Sequence, residues 1–373
     1  MRDLPIELIS TVFQNVSATT DLLHLRSLNR SFMKLVTPHV FSKLHIKNSI
    51  QSAQNCHLII GTASLATHIR EVVYDSRDNE HFQLPPDNTD SSDALEISEL
   101  EEALTTAFCG ITALPSIERV VLNFWPSFLC QSGREVCESP FWFINRQLIL
   151  IHAIHHGMKT SRMTTLSLNN VILPSTCYDF VTSLTNSPLT HLSVSVVSNA
   201  ELSAWSASKN VNGSLGALLP PSNPTLKSLV LRSPQGAYHS LTTRLSSFHY
   251  PSLESLVLEN IVFDHMPSAN GMEEFVLRHK NTLRRLELQS CACYIPDSST
   301  DARRWSTIWH RWAAELTSLT ELVVNSDGHR YVLLDADRGY MPHGPVSTMA
   351  FEDDSSSLQM FKDSIAADQA TVV

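Results

Sequence analysis

A short pattern, apolar-x-x-apolar-x-apolar, recurs eight times between residues 69 and 324 and limits the possible folds more than any other feature of the chain. It reads Ile69-x-x-Val72-x-Tyr74, Ile117-x-x-Val120-x-Leu122, Met163-x-x-Leu166-x-Leu168 and Leu189-x-x-Leu192-x-Val194. It continues as Leu226-x-x-Leu229-x-Leu231, Leu253-x-x-Leu256-x-Leu258, Leu283-x-x-Leu286-x-Leu288 and Leu319-x-x-Leu322-x-Val324. Alternation with a period of two is the signature of a short strand with one buried face. A unit that recurs along the chain cannot bury its apolar face alone, so its neighbours must stack on it.

The copies start at gaps of 48, 46, 26, 37, 27, 30 and 36 residues, which leaves room for a helix between strands. Helical spacing of apolar residues appears at Leu100–Phe108, Leu148–His156, Tyr178–Leu184, Met272–His279 and Trp305–Leu316. Strands and helices in alternation predict an α/β fold, a parallel strand ladder with helices outside. A dinucleotide-binding sheet alternates in the same way, but no Gly-rich phosphate turn follows any strand and the whole chain holds 11 glycines. The pattern resembles an irregular leucine-rich repeat with insertions. Three segments read as loops or tail: an acidic, turn-rich stretch at 75–97, a Ser/Pro/Gly-rich stretch at 199–224, and an acidic, partly disordered tail at 341–373 with a weak helical pattern at Leu358–Ile365. The repeat domain is thus expected over 47–340.

Residues 1–46 have a different character. Pro5 suits the first turn of a helix and Glu7 complements its positive end. Leu8, Ile9, Val12, Phe13 and Val16 follow on one face. A second run, with Thr20 as cap, carries Leu22, Leu25, Leu28, Phe32 and Leu35, and Pro38 is expected to stop it. A helical unit this short rarely buries enough surface to stand alone. Its large apolar residues cannot all turn inward, so some must pack on another domain or another protein.

The order of these residues resembles an F-box. Leu4-Pro5-x-Glu7-Leu8-Ile9-x-x-Val12-Phe13 is followed by Asp21-Leu22-Leu23-x-Leu25-Arg26-x-Leu28-Asn29-Arg30-x-Phe32. Thr37-Pro38-His39-Val40-Phe41-x-x-Leu44 is similar to the ending common in fungal members. Phe32 stands where many members carry Trp, and Asn29 where many carry Cys. The resemblance implies docking on a Skp-type adaptor that bridges to a cullin scaffold. It places Leu4, Pro5, Leu8, Ile9, Phe13, Leu25 and Phe32 at or near that interface. It also implies a substrate-recruiting subunit of an SCF-type ubiquitin ligase, whose repeat domain binds a target protein. A scaffold or regulator that delivers nothing for degradation, and an enzyme hidden in the repeats, are the alternatives.

Composition narrows the partners. A net charge of −10 disfavours nucleic acid, because phosphate contacts need a basic face. Residues 71–102 alone carry eleven acids against Arg77, whereas residues 1–50 are mildly basic. The seven cysteines are scattered without a Cys-x-x-Cys pair, which predicts reduced thiols in the cytoplasm or nucleus. Met1-Arg2-Asp3 leads straight into an amphipathic pattern, so no signal peptide is expected, and no apolar run reaches membrane-spanning length.

Three clusters invite a chemical reading. His152, His155 and His156 lack the glutamate of a His-Glu-x-x-His metal helix, so a surface helix is expected. Cys291 and Cys293 fall on one side of a strand and read as buried. Trp305, Trp309 and Trp312 recur at helical spacing, as a helix packed on the repeats or, alternatively, as an aromatic anchor for a partner. No nucleophile elbow, phosphate loop or kinase motif is present, so neither a catalytic residue, a metal nor a cofactor is expected. Target binding is expected on the strand ladder. With the fourth and sixth positions of each copy facing the core, the third, fifth and seventh face out. These rows include Arg119, Asn123, His191, Arg232, Glu259, Arg285, Glu287, Gln289, Glu321 and Asn325.

Overall fold

The computed structural model describes residues 11, 16, 19–76, 91–111, 114–125, 140–158, 162–171, 184–196, 218–233, 239–240, 245–264, 271–295, 303–325, 330–335, 339–342 and 348–372. The chain divides into two compact units, Met1–Thr165 and Leu166–Val373. All eight copies of the repeated pattern form strands.

The first unit opens with two helices, α1 (Thr19–Leu28) and α2 (Arg30–Val40). They do not form the single run expected from the spacing of Leu22 to Leu35. Asn29 breaks it: its side chain accepts a hydrogen bond from Phe32 N at 2.9 Å and caps α2. Pro38 does not stop the helix either, since α2 continues to Val40. Strand β1 (Lys43–Lys47) follows, then α3 (Ile50–Gly61), the short α4 (Ala63–Ala66), β2 (Glu71–Asp75), α5 (Ser91–Ile111), β3 (Arg119–Asn123) and α6 (Pro140–Met158). The three strands pair in parallel in the order β1-β2-β3, with Lys43 opposite Glu71 and Glu71 opposite Arg119. Buried Tyr74, Phe108, Phe124 and Phe143 meet edge to face behind the ladder.

β1 lies inside the stretch 1–46 read as a purely helical module. Phe41-Ser-Lys-Leu44-His-Ile46 is a ninth copy of the repeated pattern, and Leu44 and Ile46 are buried in step with Val72 and Tyr74. The ladder therefore begins at residue 43 rather than after 46. The backbone carries the same signature at each step. The carbonyl of the second position accepts from two successive N–H groups of the next copy: Ser42 from Arg70 and Glu71, Arg70 from Glu118 and Arg119, Glu118 from Thr164 and Thr165.

The second unit holds β4 (Thr165–Val171), β5 (His191–Val196), β6 (Ser228–Arg232), β7 (His239–Ser240), β8 (Ser255–Glu259) and β9 (Ile261–Phe263). Then come α7 (Met272–Arg278), β10 (Arg285–Gln289), β11 (Ala292–Tyr294), α8 (Trp305–Glu315), β12 (Glu321–Val324), β13 (Arg330–Asp335), β14 (Gly339–Pro342) and α9 (Thr348–Val372). The repeat strands run in the order β4-β5-β6-β8-β10-β12, and the same carbonyl signature recurs at Thr190, Lys227, Glu254 and Arg284. A second, smaller sheet, β7-β9-β11-β13 in parallel with β14 antiparallel at its end, forms one step further along each repeat.

The turn between the two sheets is sharp. Asn260 and Ser290 sit at φ 55° and 50°, each immediately after a repeat strand. Asparagine tolerates that left-handed geometry because its short side chain can bond locally. Here the buried Asn260 donates through Nδ2 to Ser233 O at 2.7 Å, tying one repeat to the previous one.

Two segments expected to be loose are ordered at their edges. Residues 91–97, read as part of the acidic loop, already belong to α5. At the end of the 199–224 stretch, Asn223 is buried and donates to Leu184 O at 2.8 Å. The largest difference is the tail. Within the stretch expected to be partly disordered, residues 348–372 form a helix, α9, which takes in the weak helical pattern at Leu358–Ile365 and buries Leu358, Phe361 and Ile365. The cap residue of α8, Arg304, makes no side-chain cap bond. The exposed N–H groups of that helix end are satisfied from elsewhere: Ser306 N donates to Asp354 of α9 at 2.7 Å and Trp305 N to Tyr331 Oη at 3.1 Å. Tyr331 Oη in turn donates to Asp354 at 2.6 Å, which fills the second oxygen of a fully buried carboxylate.

Candidate binding face

In the second unit the strand register brings the outward residues into rows. The third position runs His191, Ser228, Ser255, Arg285, Glu321, each in register with the next. The fifth runs Ser193, Val230, Val257, Glu287, Val323, and the seventh Ser195, Arg232, Glu259, Gln289. Asn325 lies just past the end of β12 and holds Leu288 O through its backbone N–H.

The charges in these rows face one another. Arg285 reaches Glu287 at 2.8 Å and also pairs with Glu321, while Gln289 donates to the other side of Glu287. The Arg285 guanidinium holds the Glu287 carboxyl below its ordinary range, and the two carboxylates in turn raise Arg285. Arg232 meets Glu259 at 2.9 Å. Four of the expected site residues, Arg285, Glu287, Gln289 and Glu321, are thus one network, and Arg232 with Glu259 is a second pair beside it. His191 stands apart at the other end of the third row, on β5. Arg119 and Asn123 belong to the ladder of the first unit, where Arg119 lies 3.9 Å from Glu71 and Asn123 is in register with Asp75.

The outward rows hold valines as well as the polar residues expected at a binding site. Val230 and Val257, adjacent in register, are half-buried on the outward face of the second unit, between Ser228 and Ser255 on one side and Arg232 and Glu259 on the other, whereas the half-buried Val323 lies beyond Glu287, between Glu321 and Asn325. The signal was available, since five of the eight copies carry Val at the fifth position. In the first unit the corresponding Val73 and Val121 are buried. In the second unit the outward face is therefore a small apolar patch, Val230 and Val257, beside internally paired charges.

The three clusters resolve simply. Trp305, Trp309 and Trp312 are fully buried, with Trp305 stacked on Trp309 at 4.9 Å and Phe263 of β9 packed against both Trp305 and Trp312. They hold α8 on the sheets and offer nothing to a partner. Cys291 and Cys293 are buried, and burial pushes the Cys291 thiol up to about 12 and Cys293 in the same direction, which keeps both protonated. His152 is exposed on α6. Among the described residues no group of His, Cys, Asp and Glu is arranged to hold a metal ion.

Of the residues expected at an adaptor interface, Leu4, Pro5, Leu8, Ile9 and Phe13 lie outside the described residues. Leu25 and Phe32 are half-buried against the Leu22–Val36 contact between α1 and α2. Leu23, Leu28 and Met33 are exposed, Leu28 by 65 %. No described helix is long and apolar enough to cross a membrane. Comparison with family models finds no match for this chain, and comparison with curated proteins finds none.

Proposed function

We propose that the chain is a non-catalytic, substrate-recruiting subunit of an SCF-type ubiquitin ligase, with an F-box at its N-terminus and a leucine-rich-repeat ladder behind it. The observation that carries this reading is the helical hairpin α1–α2. It buries Leu22 and Val36 and leaves Leu23, Leu28 and Met33 in water, on a stretch whose residue order resembles an F-box. Exposed apolar residues grouped on so small a unit favour a protein partner, and a Skp-type adaptor linked to a cullin is the partner the resemblance implies. The ladder supports the second half of the reading. Its outward patch of Val230 and Val257, beside the paired charges Arg232–Glu259 and Arg285–Glu287, suits a peptide or protein surface.

The mechanism on this reading is effective concentration. Holding a target lysine near a charged conjugating enzyme turns a bimolecular encounter into a local one, and no bond-making residue is required of this chain. The expected test is paired variants on the ladder. Val257→Arg and Arg285→Glu, made separately in the full chain, are expected to lose the target protein while the adaptor still co-purifies. If both variants keep every target that the wild type retains, the binding surface lies elsewhere. A change in the half-life of a retained target separates a ligase receptor from a scaffold.

A further inference from the structure

Within the first unit, on the helix side of the ladder, α3 and α5 enclose an open groove of about 530 Å³. Ile50, His57 and Leu58 line it from α3, and Glu99, Glu102 and Ala103 from α5. The spacings are those of single helix faces, so each helix turns one stripe toward the groove. From Ile50 to Leu58 the stripe extends over eight residues, about 12 Å at the helical rise, or two turns. Ile50 and Ala103 are half-buried in the floor, whereas Leu58 stands 67 % exposed at its rim.

The charge of the groove is unbalanced. Glu99 and Glu102, one turn apart on α5, have no ion-pair partner among the described residues. The glutamates of the repeat strands, Glu71, Glu259, Glu287 and Glu321, each have one. Glu99 and Glu102 stand exposed at the groove instead. An exposed leucine beside two carboxylates unpaired among the described residues has the complement of a ligand that is apolar along one face and cationic beside it.

We infer that this groove docks a cationic amphipathic helical segment of a partner protein. The segment has an apolar side chain seated between Ile50, Leu58 and Ala103, and Lys or Arg residues one turn apart that meet Glu99 and Glu102. The surface belongs to the first unit alone and does not depend on the proposed adaptor or on the strand face.

The test is fluorescence polarisation with the full chain and a fluorescein-labelled amphipathic peptide of leucine and lysine, its lysines placed one turn apart. The wild type is expected to bind it saturably, more weakly as salt rises, and to ignore the same peptide with glutamate in place of lysine. The double variant Glu99→Lys/Glu102→Lys and the single variant Leu58→Asp are each expected to weaken binding about tenfold or more. Glu352→Lys/Asp353→Lys makes the same change of net charge at exposed positions on α9 and is expected to leave binding unchanged. All five positions are exposed, so circular dichroism should match the wild type throughout. Absence of saturable binding by the wild type, binding unmoved by the groove variants, or equal weakening by the α9 control would each overturn the inference.

Discussion

Trp309→Ala is expected to destabilise the second unit by about 3–5 kcal/mol, the cost of emptying a large aromatic site in a packed core. Trp309 is fully buried, stacked on Trp305 at an interplanar angle of 15°, edge-on to Trp312 at 5.5 Å, and 6.4 Å from Phe361 of α9. Its neighbours are rings fixed by their own contacts, so the site collapses poorly and the cost falls toward the upper part of that range. Because Phe361 is one of the side chains by which α9 is buried, the variant should also loosen that helix. Urea unfolding is expected to show a lower midpoint, and trypsin is expected to cut earlier after the half-buried Lys362. A loss under about 1 kcal/mol, the size of a surface effect, would mean that the tryptophans do not anchor α8 and α9 as described.

A second large effect depends on pH. His279 is 2 % exposed, and its Nε2 accepts from Tyr250 N at 3.1 Å. An acceptor at Nε2 requires the proton on Nδ1, which donates to Phe275 O at 2.8 Å. The ring is thus held neutral between two backbone groups, with Tyr250 and His249 stacked near it. Burial is the largest cause lowering its pKa from 6.5 to about 4, with His249 and Arg278 adding to the effect and the Phe275 carbonyl opposing it. Folding therefore favours the neutral form. The associated stability is complete above the unfolded value near 6.5 and is lost as pH falls toward 4. The difference of roughly 2.5 pH units corresponds to about 3 kcal/mol. His279→Gln, which carries no charge at any pH, is expected to lower stability at neutral pH and to flatten its fall between those two values. If wild type and variant lose stability in parallel between pH 6.5 and 4, His279 is not the group responsible.

The repeat strands were legible because each needs three apolar residues at fixed offsets, and those residues are buried in each of the eight copies but the last, where Leu322 and Val324 are half-buried. The helices over Leu100–Phe108, Leu148–His156, Met272–His279 and Trp305–Leu316 were legible for the same reason. The ninth copy, Phe41 to Ile46, was written in the same code but lay in a stretch already accounted for by the resemblance. Helix α9 showed only as the weak pattern at Leu358–Ile365 because two of its inward positions are polar. Asp354 and Ser357 are buried beside Leu358, Phe361 and Ile365, so a count of apolar residues sees three of these five positions. The break at Asn29 is a capping effect, and hydrophobic spacing alone runs across it.

On the candidate face, alternation sets out the third, fifth and seventh rows of the second unit but not the balance of their charges. Arg285, Glu287 and Glu321 look like free charges when read one strand at a time. They become a closed network only when the register sets them side by side. The groove of the first unit was illegible for a similar reason, since its two stripes are 41 residues apart and nothing in either one points to the other.

The proposed function depends above all on the N-terminal module. The most direct measurement is binding of a purified Skp-type adaptor to the full chain and to a chain carrying Leu8→Asp, followed by size-exclusion chromatography. The wild-type chain is expected to elute as a stoichiometric complex with the adaptor, and the variant to elute without it while its repeat strands keep their circular dichroism. A wild-type chain that elutes without the adaptor, or a variant that holds it equally well, would contradict the proposal.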